Sequence, residues 1–214
     1  MLENSIREKT YLTFASLLSQ PDQEIYEDIK AGLHNKILRD YFSQKSYDIH
    51  MSVFEEVNSL EEMKRLWRAN ICPEEGQLKA VESIYKVWTL DDSYDLPFAN
   101  DKGYLMGDWA LHIKHLFKEF ELEIPEDYQA MPDYICFELE FMSLLIAEDL
   151  EEEQKLFLLQ HLDWIPDLRE EAEEKEISEN YLQVIKALEK FIRLEWQEFA
   201  LDNEEKDKFQ KFER

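Results

Sequence analysis

Between residues 179 and 200, Tyr181, Val184, Ile185, Leu188, Phe191, Ile192 and Phe199 recur at three- and four-residue steps. That is the period of an α-helix with one buried side, and Glu179, Lys186, Glu189, Lys190 and Arg193 fill much of the remainder. Ser178 stands just before the stripe as a candidate N-cap. A second stripe, Leu105, Trp109, Ile113, Leu116, Phe117 and Phe120, predicts a helix over 104–120. Further helices are expected over 3–19, 22–33, 35–44, 49–69, 74–88, 132–150, 152–162 and 165–174. Pro21 and Pro73 suit first-turn positions, and Pro132 suits the start of a helix. Only 4 Gly and 6 Pro interrupt the chain, too little punctuation for the many tight turns of an all-β fold. The expected fold class is therefore all-α, a single compact domain of roughly ten helices.

Within that domain, the stretch 89–103 (TLDDSYDLPFANDKG) gathers Asp91, Asp92, Ser93, Asp95, Pro97, Asn100, Asp101 and Gly103, and reads as a loop. It divides the expected domain, 1–202, into an N-terminal helical half (1–88) and a C-terminal half (104–202), followed by a charged tail at 203–214. Monomer is the simpler expectation, although such a joint would also permit exchange of halves in a domain-swapped dimer.

Charge narrows the partners. The chain carries 49 acidic and 24 basic side chains, formally −25. Such a surface repels phosphate backbones and anionic headgroups, so neither nucleic acid nor membrane is an expected partner. It attracts basic peptides at low ionic strength, though acidity also serves solubility alone. The opening MLENSIREKTYLTF lacks a signal-peptide apolar stretch. Apolar runs such as LLIA at 144–147 fall short of the roughly 20 residues that cross a bilayer. Cys72 and Cys136 form no CxxC pair and suggest no secreted disulfide scaffold. Cytoplasm is the expected compartment.

Catalytic signatures are sparse. No histidine has an acid three positions before it, as a di-iron helical bundle requires. His112, His115 and Glu119 share one helical side, which leaves a helical metal-dependent enzyme as a less favoured alternative, but surface histidines are the commoner outcome of such spacing. Gly32, Gly76, Gly103 and Gly107 form no phosphate cradle. No enzyme activity, metal or cofactor is expected.

Two segments place polar groups inside apolar helical patterns: Glu82-Ser83-Ile84-Tyr85, and Met131 to Leu145, MPDYICFELEFMSLL. Asp133 falls where its charge would complement a helix start. Glu138 interrupts the stripe of Ile135, Met142 and Leu145, and a buried carboxylate there needs a partner. On residue chemistry alone, Asp133 as a cap and Glu138 as a bond to a neighbouring helix compete with a binding role for both.

The order ESIY at 82–85, MGDWALHIKHLFKEFELEIPEDY at 106–128, PDYICFELEFMSLL at 132–145 and HLDWIPDL at 161–168 resembles the TorD/DmsD/NarJ-like redox-enzyme maturation chaperones. The resemblance covers roughly 74–168 and implies a non-enzymatic, all-helical chaperone. Its implied partner is the catalytic subunit of a molybdenum-containing oxidoreductase, held by its twin-arginine leader until cofactor insertion and then passed towards the export machinery. A NarJ-like assembly factor for a non-exported subunit is the alternative. The family's leader-binding region carries over to Pro132, Asp133 and Tyr134 with Glu138 in support, and Glu82, Ser83 and Tyr85 border the same groove. Tyr134 stands where the family has His, and cannot take a positive charge near neutral pH. A basic leader also requires carboxylates beside an apolar groove; Glu126 and Asp127, with the aromatic Trp88, Tyr94 and Phe98, are further candidates.

Overall fold

α1 (Asn4–Leu18) and α7 (Ile135–Ala147) lie against each other at the centre of the molecule. α1 buries Tyr11, Phe14, Ala15, Leu17 and Leu18, while α7 buries Ile135, Cys136, Leu139, Phe141, Met142, Leu145 and Ile146. Those positions run around much of each helix, as expected for helices covered on several sides. The computed structural model describes residues 4–47, 52–91, 93 and 96–199. Around the central pair stand α2 (Gln23–Lys30), α3 (Leu33–Gln44), α4 (Leu60–Asn70), the single turn α5 (Glu82–Tyr85), α6 (Asp108–Glu119), α8 (Glu151–His161), α9 (Ile165–Glu174) and α10 (Glu179–Glu198). Glu126–Tyr128 form a 3-10 turn. The fold is all-helical; among the described residues the extended pairing is one isolated antiparallel bridge, Val81 to Tyr134.

The stripe on α10 is buried from Tyr181 to Ile192, with Phe199 partly covered. Phe191 packs edge-on to Tyr11 and Tyr41, joining α10 to α1 and α3. Ser178 is the N-cap residue, but its backbone amide donates to Asn70 Oδ1 at 2.7 Å rather than its hydroxyl capping the helix.

Four expected boundaries move. The helix expected over 49–69 begins at Leu60, because the Ser59 hydroxyl accepts from Glu62 N and the Glu62 carboxylate accepts from Asn58 N, a reciprocal start signal. The helix expected over 74–88 shrinks to Glu82–Tyr85. There, Gln77 N and Leu78 N donate to Ala69 O and Asn70 O, Ile135 N donates to Ala80 O, and the backbone of 77–81 is spent on tertiary bonds. α6 starts at Asp108, not 104, leaving Leu105 exposed. α7 starts at Ile135, so Pro132 sits in a turn ahead of the helix, as Pro21 does ahead of α2. Pro73 likewise falls in the turn after α4. Residues 200–214, including the charged tail, lie outside the described residues.

Candidate functional site

α5 and the start of α7 are tied backbone to backbone. Glu82 N donates to Asp133 O at 3.0 Å, and Ser83 N donates to the Asp133 carboxylate at 2.6 Å. Asp133 thus satisfies amides at the start of α5, fifty residues away in the chain, and does not cap its own helix. It is fully buried; burial, with the nearby charge of Glu82, pushes its carboxyl up to about 6 despite the Ser83 bond. Tyr134 is buried as well, its hydroxyl donating to Leu18 O at 3.1 Å.

A chain of buried polar groups continues from this junction. Glu82 Oε2 lies 2.8 Å from His161 Nδ1, and His161 Nε2 lies 2.8 Å from His112 Nδ1. The Lys86 ammonium reaches Glu82 Oε1 at 2.6 Å and Asp163 Oδ1 at 2.5 Å, and lies 3.8 Å above the Trp109 ring. Trp164 Nε1 donates to Glu138 Oε2 at 3.1 Å, while Tyr85 stacks on the Trp164 ring and donates to Glu171.

Each charge in this chain is set by its surroundings. Burial raises Glu82, but His161 and Lys86 outweigh it and hold the carboxyl below its ordinary range. Burial lowers Lys86, yet Asp163 and Glu82 carry it above the usual lysine range. Glu138 moves far above the carboxylate range, first through burial and then through the charges of Glu82 and Asp133. His112 is lowered to about 4 by burial and by His161. Glu82, Glu138 and His161 are fully buried, whereas Lys86, His112 and Asp163 are partly exposed.

The structure thus brings Glu82, Ser83, Tyr85, Pro132, Asp133, Tyr134 and Glu138 together, all in the interior. Glu126 and Asp127 stand exposed on the 3-10 turn. Trp88 and Phe98 pack edge-on beside each other, half-buried, some distance along the chain, and Tyr94 lies outside the described residues. His115 and Glu119 face one another at 3.4 Å on the surface, whereas His112 turns inward to His161. Sequence reasoning passed over Lys86, His161 and Trp164 as site members. The signals were faint: Lys86 is one helical turn beyond Glu82, and His161 and Trp164 bound the HLDW segment.

Beside the Met131–Asp133 turn lies an open cavity of about 250 Å³. Trp67, Tyr128 and Met131 are its apolar lining, Glu74, Glu75 and Asp127 line it with carboxylates, and among the described residues Arg68 is its one cationic lining residue.

The family model described as nitrate reductase delta subunit matches residues 53–170. The chain belongs to this family. The family comprises NarJ/TorD-type chaperones, which supports a general role in molybdoenzyme maturation. The matched span holds the whole buried chain from Glu82 to Trp164 and the acid-lined cavity apart from Gln20. Neither a curated protein nor a solved structure matches the chain. Among the described residues, no helix is long and apolar enough to cross a membrane.

Proposed function

We propose that this family member works in the cytoplasm as a chaperone for a molybdopterin-containing oxidoreductase, binding its twin-arginine leader or N-terminal segment and holding it through cofactor insertion. The observation that carries the reading is the cavity formed by Trp67, Tyr128 and Met131 with Glu74, Glu75 and Asp127. A guanidinium entering it would pair its planar donors with carboxylates and lay its face on an aromatic ring, which a lysine ammonium does less well. Asp133, Glu138, Glu82 and Ser83 then serve as the buried frame that places the Met131–Pro132 turn, rather than as leader contacts. Exposed Glu126 adds acid at the rim.

Calorimetric titration with a twin-arginine leader peptide and its twin-lysine counterpart, at two salt concentrations, tests this. Saturable binding near ~1 μM, about −8 kcal/mol, is expected for the arginine form. The double variant Glu74→Gln/Asp127→Asn should weaken it about tenfold or more. Binding that ignores both the lysine change and the double variant, and vanishes at modest salt, would leave only diffuse attraction to an acidic surface.

A second reading is favoured by the description of the matching family itself, the delta subunit of nitrate reductase. In it the client segment belongs to a subunit that is not exported, and the reductase subunit itself replaces the leader peptide in the titration.

A further inference from the structure

Glu82, Glu138 and His161, all buried, each present one potential ligand atom, and these atoms lie within 4.8 Å of one another. From the chemistry and orientation of these groups we infer that they form a binding site for a divalent first-row transition metal. The inference is independent of the leader-binding reading.

Three observations support it. First, the outward atom of each ligand is already held by a different neighbour. Glu82 Oε1 is held by Lys86, Glu138 Oε2 by Trp164 Nε1, and His161 Nε2 by His112 Nδ1. The inward atoms are Glu82 Oε2, Glu138 Oε1 and His161 Nδ1; the first and last hydrogen-bond each other at 2.8 Å, and an ion would take the place of the proton between them. Metal sites share this feature: the non-coordinating atom of each ligand is fixed by a partner outside it. Second, Glu138 Oε1 has no amide, hydroxyl or ammonium partner among the described residues, although Glu138 is fully buried; besides the Trp164 indole, its carboxyl meets that of Glu82. Such an atom is costly to leave without a proton or a cation. Third, Lys86 is shared between Glu82 and Asp163, so among the described residues Glu138 has no cation of its own and sits inside as a neutral acid; a divalent cation would take the place of its proton.

Size and ligand type agree. Zinc holds nitrogen and carboxylate ligands at about 2.0–2.2 Å in a tetrahedron, which sets neighbouring donors roughly 3.4 Å apart. The donor atoms here lie within 4.8 Å of one another, and an ion would part Glu82 Oε2 from His161 Nδ1, now 2.8 Å apart, while drawing Glu138 in. One imidazole with two carboxylates suits Zn²⁺, Fe²⁺ or Mn²⁺ better than Mg²⁺ or a thiolate-seeking ion. His112 and His161 also line a shallow apolar groove with Phe120, Phe141 and Phe157 on the His161 side of the cluster.

The test uses the full chain, stripped with a chelator and dialysed, then titrated with Zn²⁺ in excess Mg²⁺ to occupy surface carboxylates. One equivalent of Zn²⁺ should bind and raise Tm. Glu138→Gln, which keeps the shape and the Trp164 bond, should abolish that equivalent, and His112→Ala should weaken it about 10- to 100-fold. Absence of Mg²⁺-resistant binding, or equal binding by a folded Glu138→Gln variant, overturns the inference. Should that variant not fold, X-ray absorption of the zinc-loaded parent decides. One imidazole with oxygen neighbours at about 2.0–2.2 Å supports the site, and a shell without imidazole sinks it.

Discussion

The Asp133 carboxylate accepts the backbone amide of Ser83 at 2.6 Å, so an acid ahead of one helix closes the start of another. Because burial raises this carboxyl to about 6, above the roughly 3.9 of an unfolded chain, its ionisation works against folding. The stabilisation from its neutral form is complete below the unfolded value and is lost as pH rises through about 6. Asp133→Asn retains an acceptor for Ser83 without that cost. Urea unfolding at pH 5 and pH 8 should show the variant gaining on the parent by about 1 kcal/mol between the two. A constant difference would show that Asp133 does not titrate in this window. Asp133→Ala instead orphans the Ser83 amide and should cost about 1–3 kcal/mol relative to the Asn variant.

Arg7 and Glu195 form a fully buried pair, with Arg7 Nε 2.9 Å from Glu195 Oε2 and the Tyr41 hydroxyl donating to Oε1 at 2.9 Å. Removing one charge strands the other. Arg7→Met is expected to lose about 3–5 kcal/mol, and Arg7→Met/Glu195→Met to recover part of it. A double-mutant cycle in urea checks the coupling; additive losses would show the two charges to be independent.

Lys86 joins Glu82 at 2.6 Å and Asp163 at 2.5 Å over the face of the Trp109 ring. Lys86→Met removes the cation from between two acids and should cost about 3–5 kcal/mol near neutral pH. Stability within 1 kcal/mol of the parent, by the same unfolding measurement, would mean that the acids are neutralised by other means.

Gly76 marks a close approach of backbone to backbone. A Cβ there would lie 2.6 Å from Cys72 N and 2.7 Å from Cys72 O, neither of which can swing aside. Gly76→Ala should therefore open the turn, costing about 1–3 kcal/mol. It should also weaken twin-arginine binding, because Cys72, Pro73, Glu74 and Glu75 form one wall of the acid-lined cavity. Leader affinity unchanged in a destabilised variant would separate that wall from the binding site.

The contrast between α10 and α5 shows how far sequence reading reaches. The α10 stripe was legible because each apolar residue repeats one or two turns along the same helix, so local period alone assigns its buried side. Glu82–Tyr85 also sits in an apolar run, yet its flanks are extended and turned because their amides and carbonyls bond to α4 and to the strip before α7. No local period encodes a partner fifty residues away.

The sequence by itself determined the helical class, the stripes that became the core, the strong negative charge and the two polar motifs. Only the tertiary structure decided which acids face water. It turned Asp133, Glu138 and Glu82 inward and left Glu74, Glu75, Glu126 and Asp127 outside. The physical reason is that an isolated carboxylate has no fixed burial. Glu82 is tolerated inside because Lys86 and His161 arrive beside it, and Glu138 because the Trp164 indole does. Those neighbours are brought by the packing of α5, α7 and α8 with the turn that leads into α9, and spacing along the chain carries no record of it.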